Sequence, residues 1–156
     1  ANGAPARSLD MAVAAFDLHG YLAEKAGGNI TLGLLDSAAT ELDRDRYVTL
    51  LRSAPVQLQA AMASVIEASR RAKGAAIGTG ETYDAYQKFC ERTGLRMMTG
   101  RAFGDLLAEL DMYSLIRSRV LSKGRYGRTR EITLDVSDEV TDKLYASVRM
   151  NFEMRR

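Results

Sequence analysis

The sequence is short of the residues that build cross-links and metal sites. It has one cysteine and one histidine in 156 residues. Cys90 alone cannot form an intrachain disulfide, and a cysteine-based zinc site is not expected. Placed beside Phe89 on the apolar side of a helix, Cys90 reads as a small core hydrophobe. His19 alone offers no histidine cluster for a metal, and a capping or surface role suits it better than catalysis. No apolar run approaches the ~18 residues of a membrane span, so no membrane partner is expected. The first residues lack a charged segment leading into an apolar one, so no signal peptide is read there. Internal repeats and low-complexity segments are absent. No nucleophile–base pair or paired-carboxylate site stands out, so no catalytic or metal-binding residue is assigned. Gly27-Gly28 lacks the strand–loop–helix context and the lysine of a phosphate-binding loop. The single cysteine suits a reducing, intracellular setting.

What is present is enough for a packed core. Apolar residues make up 46% and charged residues 27% of the chain, and the length suits one domain or two small ones. The net charge of +2 conceals an asymmetry. Residues 1–52 hold five Lys/Arg against seven Asp/Glu, and residues 53–156 hold seventeen against thirteen. From Arg117 to Arg130 there are six basic residues and no acidic one. Such a distribution speaks about partners rather than fold.

The first third reads as helical. "SLDMAVAAFDLHGYLAEKAG" places Leu9, Val13 and Phe16 on one side and ends at Gly27-Gly28. Asn29 or Thr31 can cap a second helix carrying Leu32, Leu35, Ala38, Ala39 and Leu42. "ELDRDRY" alternates in sign, reads as a solvated face, and continues as helix or as a bend. Pro55 marks a break.

Beyond Pro55 the character changes. "VQLQAAMASVIEASRRAKG" puts Leu58, Ala61, Met62, Val65 and Ile66 on one helical face, with Arg70, Arg71 and Lys73 complementing the dipole at its end before Gly74. Ile77 among small residues suggests a brief strand. Thr79 is read as the cap of a helix bearing Tyr83, Tyr86, Phe89 and Cys90, with Glu81 in its first turn and Gly94 at its end. Thr99 caps the next helix, where Phe103, Leu106, Leu107 and Leu110 form the apolar stripe. "LIRSRVLS" and "REITLDV" alternate as strands around the tip "KGRYGRT". Ser137 caps a closing amphipathic helix with Asp138 and Glu139 in its first turn. The expected fold is therefore mainly α with a small β-hairpin: a winged helix-turn-helix domain over residues 54–156, after a helical segment over residues 1–53.

In a helix-turn-helix unit the second helix enters the major groove by its N-terminal residues. Here those are Thr99, Gly100 and Arg101. Arg101 can reach guanine O6/N7 or a phosphate, and Asp105 four residues on can orient it. Gly104 costs ~1 kcal/mol inside a helix relative to Ala, and one use for it is close backbone approach to a partner. The plain alternative is a surface helix with one ordinary arginine. The hairpin tip carries Lys123, Gly124, Arg125, Tyr126, Gly127, Arg128, Thr129 and Arg130. Its arginines and lysine can neutralise phosphates or enter a narrow minor groove, and its glycines permit positive φ. The alternative there is a charged turn that blunts a sheet edge.

"TGETYDAYQKFCERTGL", "LLAELDMYSLI" and "SKGRYGRTREITL" resemble the C-terminal part of the archaeal replication initiators related to the origin recognition complex large subunit and cell division control protein six. The likeness runs from about Gly74 to Val136. Residues 1–53 resemble the end of the lid that follows the AAA+ ATPase core, through "ARSLD" and "DRDRY". The resemblance implies binding of double-stranded origin DNA, with Thr99, Gly100 and Arg101 on the recognition helix and residues 123–130 on the wing. It also implies other replication proteins as partners and a cytoplasmic, nucleoid-associated setting. Where the family often has two consecutive basic residues, this chain has Gly100-Arg101, so one contact is missing or replaced by backbone. No nucleotide-binding loop and no acidic Mg²⁺ motif is visible. The lid's glycine–acid–any–arginine pattern falls on Ala4 and Ala6, with Arg7 one step late. The sequence thus reads as a C-terminal fragment without cofactors of its own, not expected to hydrolyse ATP, which with Mg²⁺ belongs to the missing core. Two rivals stay open: a dimeric winged-helix transcription regulator, and a protein-interaction module of the replication machinery.

Overall fold

Proline and glycine set the boundaries of the elements. The computed structural model describes residues 32–122 and 124–155. The expected first helix, His19, Gly27-Gly28, the caps Asn29 and Thr31, and Lys123 lie outside them. The chain divides into two units, Ala1–Arg46 and Tyr47–Arg156. Residues 32–46 of the first belong to helix α1 (Leu32–Ser53). The sign-alternating stretch stays helical, with Arg44 Nη2 3.8 Å from Glu41 and Nε 4.0 Å from Asp45.

In the second unit α1 ends before Pro55, which opens α2 (Val56–Arg71) as its N-cap. Pro55 has no N–H to satisfy there, and its carbonyl accepts from Leu58 and Gln59. The face expected from periodicity, Leu58, Ala61, Met62, Val65 and Ile66, is buried. Burial goes further than the pattern: Gln59, Ala60, Ala63 and Ser64 are buried too, so α2 is enclosed nearly all round. The two polar residues are tolerated because they are paired. Gln59 Nε2 donates to the Ala54 carbonyl at 2.9 Å, and Asn151 Nδ2 donates to Gln59 Oε1 at 2.7 Å. Ser64 Oγ donates to the Ala60 carbonyl at 2.7 Å.

Strand β1 (Ile77–Gly78) is the brief strand expected at Ile77. Helix α3 (Thr79–Thr93) follows at once. Thr79 is not its cap. Gly78 holds that place, and its N–H donates to Glu81 Oε2 at 3.4 Å, while Thr82 Oγ1 donates to the Gly78 carbonyl. The acidic third position turns back onto the cap and removes the need for a threonine there. Gly94 ends α3 at φ +72°, and Thr99 Oγ1 caps α4 (Gly100–Met112) by accepting from Ala102 N–H at 3.2 Å. Strands β2 (Ile116–Ser122) and β3 (Arg128–Leu134) pair antiparallel from Ile116↔Leu134 out to Ser122↔Arg128. The sheet order is β1-β3-β2, with Ile77 opposite Ile132. Ile77, Ile116 and Ile132 are buried at the base of the sheet. Ser137 Oγ caps α5 (Asp138–Glu153), which buries Val140, Leu144, Val148 and Phe152 at helical spacing. Phe152 meets Phe89 edge-on, ring centroids 5.0 Å apart.

The link from α4 to the hairpin is a six-residue closure. Leu115 N–H donates to the Leu110 carbonyl and Ser114 N–H to that of Asp111, with Ser114 at φ +61°. Glycine favours this position, whereas any other L-residue is strained there by ~1–2 kcal/mol. Replacing exposed Ser114 with glycine should therefore raise unfolding free energy, by up to ~1 kcal/mol after the added chain entropy of glycine. Chemical denaturation measures it; a loss of stability would overturn the assignment of strain.

Candidate nucleic-acid interface

The turn that delivers α4 to the surface has no regular structure of its own. Within residues 95–99, Arg96 and Met98 take backbone partners from side chains of α2 and α3. Gln57 Nε2 donates to the Arg96 carbonyl at 2.7 Å, Tyr83 Oη to the Met98 carbonyl at 2.9 Å, and Met98 N–H donates to Tyr86 Oη at 3.0 Å. Tyr86 Oη in turn donates to Gln57 Oε1 at 2.6 Å. Burial pushes the Tyr86 phenol up to about 12, so it stays a protonated donor throughout the neutral range. Beneath the turn the rings of Tyr86 and Phe103 stack at 4.7 Å, with Tyr83 5.4 Å from Phe103. Burial also raises the Cys90 thiol, in keeping with its core position.

From that turn α4 presents Thr99, Gly100 and Arg101, all exposed. The Thr99 hydroxyl oxygen is engaged as cap. Among the described residues Arg101 has no ion pair, and the suggested Arg101–Asp105 contact is not formed. Gly104 has open space where a Cβ would stand, so core packing does not require glycine there. Further along, Asp111 Oδ1 accepts from the Ser118 N–H of β2 at 3.3 Å.

The hairpin lies against this helix. Arg128, Arg130 and Ile132 share one face of β3, because side chains alternate along a strand. Arg130 Nη1 donates to the Gly104 carbonyl at 3.5 Å, which identifies that face as the one toward α4. Arg128, exposed, stands one step further out on it. The tip is a short 3-10 turn, Gly124–Tyr126; Gly124 in it and Gly127 just after it adopt φ +59° and +82°, the positive values expected of them. Arg125 is exposed in that turn; Tyr126 contributes its backbone, and Thr129 is half-buried. The six-residue basic run is not uniform. Arg117 is ion-paired with Asp135 at 3.4 Å and Arg130 is turned to α4, whereas Arg119, Arg125 and Arg128 have no ion pair among the described residues.

Two exposed arginines escaped the sequence assignment of the site. Arg96 lies three residues before the Thr99 cap, in the pinned turn; its position ahead of a helix cap was the available signal. Arg119 projects from the other face of β2, opposite Glu131 in register. Arg70 and Arg71 are taken up in ion pairs with Asp142 at 2.7 Å and Glu67 at 3.6 Å. Among the described residues there is no cluster of metal-ligating side chains, and no helix is long and apolar enough to cross a membrane.

Helix, short strand, two helices and a hairpin, in this order and pairing, make a winged helix. The family described as "CDC6, C terminal winged helix domain" matches residues 49–143. The chain belongs to that family. The chain is 32% identical over 143 residues to the ORC1-type DNA replication protein 1 of Sulfurisphaera tokodaii, covering 91% of this chain and 35% of that protein. It is 39% identical over 108 residues to the ORC1-type DNA replication protein 1 of Methanosarcina acetivorans, covering 69% of this chain and 26% of the relative. Among solved structures, the Aeropyrum pernix ORC1 protein in complex with DNA superimposes with a TM-score of 0.77 at 29% identity, covering 92% of this chain and 37% of that one. Drosophila ORC bound to DNA shares the fold, with a TM-score of 0.57 at 19% identity over 92% of this chain and 34% of that one. The chain thus spans about a quarter to a third of the length of the curated relatives it matches. The resemblance read from residues 74–136 falls inside the matched family span.

Proposed function

We propose that this chain binds duplex DNA at replication origins, as the winged-helix part of a replication initiator. The carrying observation is the pairing of two exposed basic tips on one support. Arg101 stands at the start of α4, and Arg125 and Arg128 stand at the end of a hairpin joined to α4 through Arg130 and Asp111. The DNA complex of the Aeropyrum pernix relative supports the reading. On it, Thr99, Gly100 and Arg101 enter the major groove, with Gly100 allowing close backbone approach. The wing, residues 123–130, lies in the adjacent minor groove or on its phosphates. Arg130 serves chiefly as a brace on α4. ATP and Mg²⁺ are ligands of an initiator's ATPase part, not of these residues.

Base reading and phosphate gripping separate by their dependence on sequence and salt. Arg101→Ala should flatten preference at one base position by about tenfold, as expected for loss of one arginine–guanine contact. Titration of a duplex library read by sequencing measures it. Equal weakening of all sequences would reduce Arg101 to a phosphate contact. A wild-type chain that binds no duplex at low salt would remove the functional reading itself.

A further inference from the structure

The buried hydroxyl of Tyr86 is unnecessary for packing. Its ring is fully buried and already stacks on Phe103, and a phenylalanine would fill the same space. A hydroxyl in such a place costs free energy unless it is bonded. Two of its hydrogen bonds lead to the turn before α4. One comes from the Met98 N–H itself. The other goes to Gln57 Oε1, whose own amide holds the Arg96 carbonyl. Tyr83 holds the Met98 carbonyl from the same helix. Three backbone groups within three residues are therefore fixed by side chains from two other helices. The next residue, Thr99, is the cap that starts α4.

We propose that Tyr86 and Gln57 are positioning residues for sequence recognition: their bonds to Arg96 and Met98 set the angle and register at which the first turn of α4 meets DNA. The proposal rests on the DNA-binding reading above, which it deepens. Neither side chain touches DNA in this scheme. Their effect reaches the bases through the placement of Gly100 and Arg101. A small shift of that turn misaligns a directional base contact more than it disturbs salt-screened attraction to phosphates, so discrimination should suffer before general affinity does.

The test uses two duplexes, one enriched by the wild-type chain from a random library and a scrambled duplex of the same composition. Tyr86→Phe should lower the affinity ratio between them by about tenfold, the equivalent of one or two net hydrogen bonds. Binding to the scrambled duplex, and the salt slope on it, should not change. Gln57→Ala should do the same, and the double variant should lose little more than either single one, because the bonds form one network. In the free chain, amide hydrogen exchange of Met98 and the first turn of α4 should quicken in both variants. If wild type binds neither duplex, the functional reading fails, and unchanged exchange would then sink the positioning role separately. If wild type discriminates and both variants keep its ratio, the proposal is overturned. Should Tyr86→Phe fail to fold, Gln57→Ala, at a half-buried site in the first turn of α2, decides the matter by the same readouts.

Discussion

Arg125→Ala combined with Arg128→Ala is expected to weaken duplex binding by about a hundredfold and to lower the salt slope by roughly two. Each arginine is exposed and without an ion pair among the described residues, so its charge is available to a phosphate. A charge-assisted contact of this kind is worth ~1.5 kcal/mol or more, and two of them give the hundredfold. The slope follows from counterion release, at about 0.9 per neutralised phosphate on duplex DNA. Thermal stability should hold, since neither side chain supports the fold. Arg117→Ala is the matched control. It lies on the same hairpin but is paired with Asp135, so its removal should change the slope much less. Binding isotherms at three or more salt concentrations give both quantities. A double variant with wild-type slope would show that the wing does not meet phosphates, and the charged-turn reading of the hairpin would replace it.

The elements beyond Pro55 were legible because local and tertiary signals agree there. Thr99 and Ser137 have the side chain and position of helix caps, and both cap. Gly94, Gly124 and Gly127 stand where the backbone takes positive φ. The alternation of Ile132 and Leu134 survives as the inner face of β3. Thr79 was misread because glycine can cap without a side chain when an acidic residue three positions on returns to its N–H. The enclosure of α2 was hidden for a related reason. Gln59 and Ser64 interrupt the apolar pattern, and only their long-range or backward hydrogen bonds make them acceptable inside. The site was half legible in the same way. Charge and glycine mark the wing tip, but composition cannot say that Arg117 and Arg130 are spoken for while Arg119 is not. That difference depends on strand register and on what α4 and Asp135 offer across it. The tyrosines of α3 read as core from their spacing; their hydroxyls could be assigned to the turn only once Arg96 and Met98 had been placed.

A stability effect of similar size is expected at Glu67, which no sequence pattern singles out. Its side chain is only 10% exposed, yet it gathers partners from three helices. Arg92 of α3 donates to both carboxylate oxygens, at 2.6 and 3.4 Å, Arg71 of α2 lies 3.6 Å away, and Tyr145 Oη of α5 donates at 2.9 Å. Arg70 extends the group, stacked 4.6 Å over the Tyr145 ring and paired with Asp142. The bond to Glu67 holds the Arg92 guanidinium above its ordinary range, against a desolvation that works the other way. Burial, reinforced by Glu67, raises the Tyr145 phenol as well. Glu67→Ala removes the acceptor and leaves Tyr145 and two guanidinium groups facing a gap. Stranding a fully buried charge costs ~3–5 kcal/mol, but Arg92 is 53% exposed and can turn to water. The expected loss is therefore ~2–3 kcal/mol, a fall in Tm on the order of 10 °C. Glu67→Gln keeps an acceptor for Tyr145 and should lose about half as much. Because the carboxylate is mostly shielded, the loss should persist in molar salt, unlike that of a surface pair. Denaturation of both variants at low and high salt checks this. A change below ~0.5 kcal/mol for Glu67→Ala would place the pair among ordinary exposed ion pairs and leave the joining of α2, α3 and α5 to apolar packing alone.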